Sequence, residues 1–335
     1  MYTGKSYKLL EFIVWTRKSI YLLIIMSIIP TVLYQIFELK WLGISWTVVA
    51  LLGTATAFIV GFKNTQTYNR TLEAQQTWTS ILNTSRSWGI MSRDFLNAPD
   101  KTRLLVYRHI AWLTALRYEM RSFRVWQTTR RKHNTEYQQY YIIPENESSL
   151  KQELSKFLSS AELEYILKTK NKATQIMALQ SKTLKELYDA QEIVVLQFVD
   201  FQRTIRDFFT QQGRSEQLKD SPYPRQYAII NTLLVHLFCL LLPFGLLKEF
   251  DKLNESIGGI MHGNMVWFVI PFSVIISWMY TSLGQVGEST ENPYEGNAND
   301  VPISKICKLI EIDLKEILGE INLPEIPQPQ HNIIL

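Results

Sequence analysis

Four stretches that contain no Asp, Glu, Lys or Arg constrain this chain more than any other feature of its sequence. They lie at residues 19–37, 44–62, 228–247 and 265–284. The hydrocarbon core of a bilayer is about 30 Å thick, and an α-helix needs about 20 apolar residues to cross it. The pattern therefore predicts four transmembrane helices. The alternative is that they are core helices of a large soluble domain, which is disfavoured because such helices rarely run this long without a charge.

The rest of the chain is polar. Although 46% of the 335 residues are hydrophobic, the mean hydropathy is only −0.05. Between the second and third stretches, apolar residues recur at helical spacing, as at Leu104, His109, Trp112 and Leu116. We therefore expect an all-α fold. The expected divisions are residues 1–62 with the N-terminus and the first two transmembrane helices, 63–224 with a helical cytosolic domain, 225–284 with the last two transmembrane helices, and 285–335 with a loop, an amphipathic helix and an extended tail.

Basic residues beside the apolar stretches predict the orientation, because Lys and Arg near membrane ends favour the cytoplasmic side. They are Lys5, Lys8, Arg17 and Lys18 before the first stretch, Lys63 and Arg70 after the second, and Arg225 before the third. We expect a multi-pass protein of the inner membrane. An even number of spans places both termini in the cytoplasm and leaves two short connections outside, at 38–43 and 248–264.

Several function classes are excluded or disfavoured. The five histidines are scattered, and no zinc-protease, serine-hydrolase or phosphate-loop motif occurs, so no enzyme is predicted. Two cysteines, Cys239 and Cys307, lack the spacing of a redox or zinc site. The net charge of +4 is too small and too evenly mixed to predict nucleic-acid binding.

The second apolar stretch has an unusual composition. It carries many small and hydroxylic residues, which allow helices to pack closely or to line water. On a 3.6-residue period, Thr47, Leu51, Thr54, Phe58 and Phe62 share one face. A ring of identical helices would present Thr54, Phe58 and Phe62 to a central axis as a narrow apolar neck, which gates by dewetting. The alternative is that the aromatic residues only pack against neighbouring helices.

Blocks along nearly the whole chain resemble bacterial bestrophins. The blocks are Gly61–Asn64, Tyr68–Arg70, Glu73 with Ala74 and Trp78, Ser85–Ser87, Leu237–Phe244, Glu291–Tyr294, Asn299–Pro302 and Ile310–Leu314. The resemblance implies a homopentameric ion channel, in which five subunits surround one pore through the lipid bilayer above a helical cytosolic vestibule. Periodicity alone does not give the number five.

The resemblance also implies site residues. The neck positions of the family fall on Thr54, Phe58 and Phe62, where Thr54 replaces the usual bulky apolar residue. A second, cytosolic constriction falls at Gln197, or at Leu196 if the alignment slips by one residue.

Animal members of the family bind calcium with an acidic loop after the fourth span. Here Asn292 and Asp300 match that loop, whereas Ser289 and Asn297 replace its other side-chain ligands. We therefore treat Asn292 and Asp300 as a remnant of the loop, and we expect no metal or other cofactor.

The most basic stretch comprises Arg121, Arg124 and residues 130–133. It is interpreted as a solvated helix face or a surface near anionic lipid heads. The alternative is an electropositive wall that concentrates anions near a pore mouth.

The sequence thus predicts a channel that passively conducts small monovalent ions, above all chloride and related anions. Two alternatives stay open. One is a relative that prefers cations such as sodium. The other is a membrane scaffold that does not conduct, whose helical domain binds a cytosolic partner.

Overall fold

The computed structural model describes residues 1–128, 134–135, 138–256 and 262–335. Part of the basic stretch, residues 130–133, and part of the second outer connection lie outside these residues. The helices of the described ranges are α1 Leu9–Gln35, α2 Trp46–Phe95, α3 Pro99–Arg121, α4 Pro144–Glu147, α5 Leu150–Leu154, α6 Ser160–Lys168, α7 Lys172–Asp189, α8 Val195–Asp220, α9 Arg225–Ser256, α10 Val269–Ser289 and α11 Ile303–Ile317.

The predicted all-α fold with four membrane-length helices is confirmed. Within the described ranges, regular structure consists of helices and two isolated β-bridges. Four helical segments are long and apolar enough to cross a membrane, and they correspond to α1, α2, α9 and α10. Each extends beyond its charge-free stretch. The largest extension is in α2, which continues without a break to Phe95 because no proline lies between Trp46 and Pro99.

The chain forms two compact units. We call Lys5–Asn69 and Tyr223–Glu291 the membrane unit, and Met1–Gly4, Arg70–Pro222 and Asn292–Leu335 the polar unit. The long helix α2 contributes residues to both.

In the membrane unit, neutral hydrogen bonds join the helices. Trp278 Nε1 donates to Thr16 Oγ1 at 2.9 Å, and the hydroxyls of Ser27 and Ser273 lie 2.6 Å apart. Such bonds suit a lipid environment, because they satisfy polar groups without burying a charge. They tie α1 to α10.

The polar unit has an aromatic core around α3. His109 stacks on Trp112 and packs against Phe208 and Trp88, with ring centroids 4.5 to 6.0 Å apart. Burial lowers the pKa of His109 to about 3, so its ring is neutral. Its Nε2 lies 2.8 Å from Ser85 Oγ on α2. His109 is therefore a core residue of this unit.

Candidate ion pathway

The two faces of α2 in the membrane unit differ sharply. On one face, Val49, Thr56 and Val60 are no more than 2% exposed. Gly53 also lies there, and a Cβ built on it would come within 2.7 Å of the Phe238 ring. This glycine therefore allows α9 to approach α2 closely, and its carbonyl accepts a hydrogen bond from Tyr280.

The opposite face of α2 is uncovered and carries the three predicted neck residues. Phe58 is 77% exposed and Phe62 is 50% exposed, and Thr54 is exposed as well. The Thr54 hydroxyl donates to the Ala50 carbonyl at 2.9 Å, so its donor is satisfied within the helix. The structure thus brings the three side chains onto one face of one subunit, as the helical period predicts.

A partly buried ion-pair cluster fixes the rotation of α2 next to this face. Lys63 is 2% exposed, and its Nζ lies 3.9 Å from Glu291 Oε2. Arg225 Nη1 donates to Glu291 Oε1 at 2.9 Å. Since consecutive helical residues are about 100° apart, burying Lys63 turns Phe62 toward the uncovered side. Nothing in the sequence predicts the contact of Glu291 with Lys63 and Arg225, because Glu291 lies far from both along the chain.

The helix α8 presents aliphatic side chains at its first turn. The exposed fraction of the side chain is 73% for Leu196, 60% for Val194 and 54% for Val195. Gln197 is only partly exposed, and its Oε1 accepts a hydrogen bond from the Val194 N–H at 2.9 Å. The Gln197 side chain thus caps its own helix, and the exposed aliphatic residue beside it is Leu196.

The loop that carries Asn292 and Asp300 is held by protein donors. Asp300 accepts hydrogen bonds from Arg121 Nη1 at 2.9 Å, Gly296 N at 2.6 Å and Val301 N at 2.8 Å. Asn292 donates to Glu295 Oε1 at 2.9 Å. Both remnant residues are therefore already engaged.

Protein groups in this loop occupy the oxygens that a calcium ion would need. Calcium takes six to eight oxygen ligands, whereas the Asp300 carboxylate is neutralised by the Arg121 guanidinium, which also lies 3.4 Å from Glu145. Across the described residues, no three His, Cys, Asp or Glu side chains form a group that could hold a metal ion. Arg121 lies 179 residues from Asp300 in the chain, so nothing in the sequence could have paired them.

Solved structures and curated proteins resemble this chain over most of its length. A bacterial bestrophin homologue from Klebsiella pneumoniae matches with a TM-score of 0.75 and 24% identity, over 90% of this chain and 98% of that one. The voltage-dependent anion channel-forming protein YneE of Escherichia coli K12 is 26% identical over 86% of this chain and 84% of its own. The protein of the same name from Salmonella typhi is 27% identical over 89% and 87%.

The match to a family model is equally extensive. The model described as bacterial/fungal bestrophin protein covers residues 13–316, which include the four membrane-length helices apart from the first turn of α1, and the uncovered face of α2. Together with the fold, this match means that the chain belongs to the bestrophin family.

Proposed function

We propose that this protein is a homopentameric channel of the inner membrane, with both termini in the cytoplasm, that passively conducts chloride and related small monovalent anions. The observation that carries the proposal is the uncovered face of α2. Its opposite face packs fully within the subunit, while Thr54, Phe58 and Phe62 contact little in their own chain. Family membership supports the same assignment, as do the names of the relatives, which are anion channel-forming proteins.

Further copies of the chain are the proposed occupants of the uncovered α2 face. In the polar unit the same helix lines a shallow groove of about 400 Å³ with Leu72, Gln75, Gln76, Thr79, Ser80 and Asn83. These side chains are mostly polar, unlike Phe58 and Phe62. Five copies of α2 around one axis would therefore enclose an apolar neck and a polar continuation.

In this arrangement the neck controls the passage of ions. A narrow apolar ring resists wetting, so it opposes conduction until it widens. The edges of phenylalanine rings carry partial positive charge, which favours a partly dehydrated anion over a cation. We propose Leu196 rather than Gln197 as the residue of a second constriction, because its side chain is free and that of Gln197 caps α8.

The test is current through planar bilayers that contain the purified protein in asymmetric sodium chloride. We expect a reversal potential near the chloride equilibrium value. Replacing both rings, as Phe58→Ala with Phe62→Ala, should raise the current about tenfold, because a barrier lower by about 1.4 kcal/mol corresponds to that factor. The matched control is Phe272→Ala on α10, which removes a ring that is 49% exposed in the same unit.

Three results would contradict parts of this proposal. A reversal potential near the sodium equilibrium value would favour the cation-preferring alternative. Silent bilayers from folded pentamers would favour the scaffold. If the double variant conducts like Phe272→Ala, the neck does not lie at Phe58 and Phe62.

A further inference from the structure

The last turn of α8, in the polar unit, contains a buried and unpaired ammonium group. Lys219 is 6% exposed, and within the described ranges its Nζ has no hydrogen-bond partner. Taking an ammonium group out of water costs several kcal/mol unless it is paired and hydrogen-bonded. Lys219 therefore lacks the partner that its burial requires.

Three further donors of the polar unit are also unsatisfied. The Arg121 side chain is 4% exposed, and its Nη1 is bonded to Asp300 while its Nη2 is buried and unpaired. The Tyr294 hydroxyl and the Trp78 indole N–H are buried beside each other, and among the residues described their contacts, including that of Tyr294 with Ser215, fall short of full hydrogen-bond geometry. An ammonium, a guanidinium and an indole can only donate, and the tyrosine hydroxyl can do both.

These donors belong to one neighbourhood. The Trp78 and Tyr294 rings lie 6.4 Å apart, centroid to centroid. Ser215 lies beside the Tyr294 hydroxyl, but it donates its own proton to the Gln211 carbonyl at 3.0 Å. Lys219 follows Ser215 by four residues on α8, so both occupy the same helix face. Arg121 is also close enough to Lys219 for its charge to add to burial in lowering the pKa of Lys219.

Among the described residues, none of the charged groups around Lys219 accepts a hydrogen bond from its ammonium. Burial lowers the pKa of Lys219 to about 8; Arg121 and Arg124 lower it too, and the Asp300 and Glu295 carboxylates oppose the shift. Both Asp300 oxygens already accept hydrogen bonds. Glu295 accepts from Asn292 and from Thr128. On α2, the Glu73 carboxylate adds to burial in raising the pKa of the Tyr294 hydroxyl.

We propose that Lys219, Arg121, Tyr294 and Trp78 form a binding site for a small monovalent anion, such as a halide. All four groups offer a hydrogen atom, and a halide accepts several N–H and O–H donors without a fixed geometry. The site lies in the polar unit and uses none of the neck residues, so it does not depend on the channel proposal.

Thermal unfolding of the full-length protein in detergent tests the site. At constant ionic strength, chloride or bromide should raise the unfolding midpoint of the wild type relative to methanesulfonate, because a ligand that binds only the folded state stabilises it. Lys219→Met and Tyr294→Phe should each weaken the apparent halide affinity at least about tenfold, since a hydrogen bond to a charged group contributes at least about 1.4 kcal/mol, which corresponds to that factor. Lys170→Met, which removes an exposed lysine, should leave the affinity unchanged.

Two features keep the test informative. In halide-free buffer Lys219→Met should unfold at the same temperature as the wild type or higher, because it removes an uncompensated buried charge. The halide effect should be largest well below pH 8 and decline as the pH rises through about 8, because the anion needs the protonated amine and burial lowers the pKa of Lys219 to about 8.

Crystals soaked in bromide give the direct readout. Anomalous density beside Lys219 Nζ in the wild type, and its loss in Lys219→Met, would support the site. A water molecule alone at this position, or an equal halide response in Lys219→Met and the wild type, would overturn it. Neither result bears on the current through the neck, which is measured separately.

Discussion

The two units of this protein satisfy their buried polar groups by different chemistry. The helices of the membrane unit are joined mainly by neutral bonds, such as the Ser27–Ser273 pair. Along the spans, the partners are hydroxyls, an indole and backbone carbonyls. The polar unit buries charges in its interior, as in the pairs Arg108–Glu162, Arg117–Glu145 and Arg121–Asp300, whereas the buried pair Lys63–Glu291 of the membrane unit lies where the charge-free stretch of α2 ends.

The difference follows from the surroundings of each unit. In a bilayer a charge that loses its partner has no water to turn to, so small residues and neutral bonds are the safer means of joining helices. In a water-facing unit a buried ion pair is costly to form, but once formed it makes one arrangement far more stable than the alternatives that break it. The stability of the polar unit should therefore respond most to charge changes. The stability of the membrane unit should respond most to small changes of side-chain volume.

The largest expected effect is in the polar unit. Asp300→Asn leaves Arg121 buried without its main counter-charge, and breaking a buried pair in this way costs about 3–5 kcal/mol. The measurement is chemical or thermal unfolding of the purified protein. The same substitution at Asp313, which pairs with Arg86 near the surface, should cost no more than about 1 kcal/mol. Equal losses in the two variants would contradict the comparison.

The next effect is one of volume in the membrane unit. Gly53→Ala would place a methyl group 2.7 Å from the Phe238 ring, and such overpacking costs about 1–3 kcal/mol. Gly284→Ala on α10 is the matched control, because its Cβ would meet nothing within 4 Å. We expect the control to keep or gain stability through better helix propensity. Thermal unfolding in detergent would show whether the order is reversed.

The smallest effect concerns a single neutral bond. Ser273→Ala removes the hydroxyl that faces Ser27, and bonds of this kind between membrane helices contribute about 0.6 kcal/mol. Ser282 on the same helix is also buried, but within the described residues its hydroxyl has no partner. Ser282→Ala should therefore be neutral. A loss at Ser282 as large as that at Ser273 would mean that burial, not the bond, is responsible.

Much of the fold can be predicted from the sequence, because its main signals are local. Charge-free stretches predict the four membrane-length helices, and α3 begins at Pro99, a residue whose fixed φ suits the first position of a helix. The shared face of Thr54, Phe58 and Phe62 also follows from helical periodicity alone. Their exposure depends on which side of α2 is packed, and that is set by contacts with distant residues such as Phe238 and Glu291.

Contacts between distant residues were beyond prediction. Any of the 35 Lys and Arg residues is a conceivable partner for Asp300, and one sequence offers no means of selecting Arg121. The direction of a side chain at the start of a helix is equally obscure. The family resemblance predicts a lower constriction at Gln197 or Leu196, but only the bond from Val194 N–H reveals that the Gln197 side chain turns back while Leu196 is exposed.

The guanidinium of Arg121 is joined to the same polypeptide as the carboxylate that it neutralises. Its effective concentration at Asp300 therefore does not change with dilution, chelators or the ionic composition of the cell. The positive charge beside Asp300 is therefore always present in this loop. A stimulus that alters its conformation must compete with a tethered cation, which cannot be withdrawn in the way that a soluble ion can.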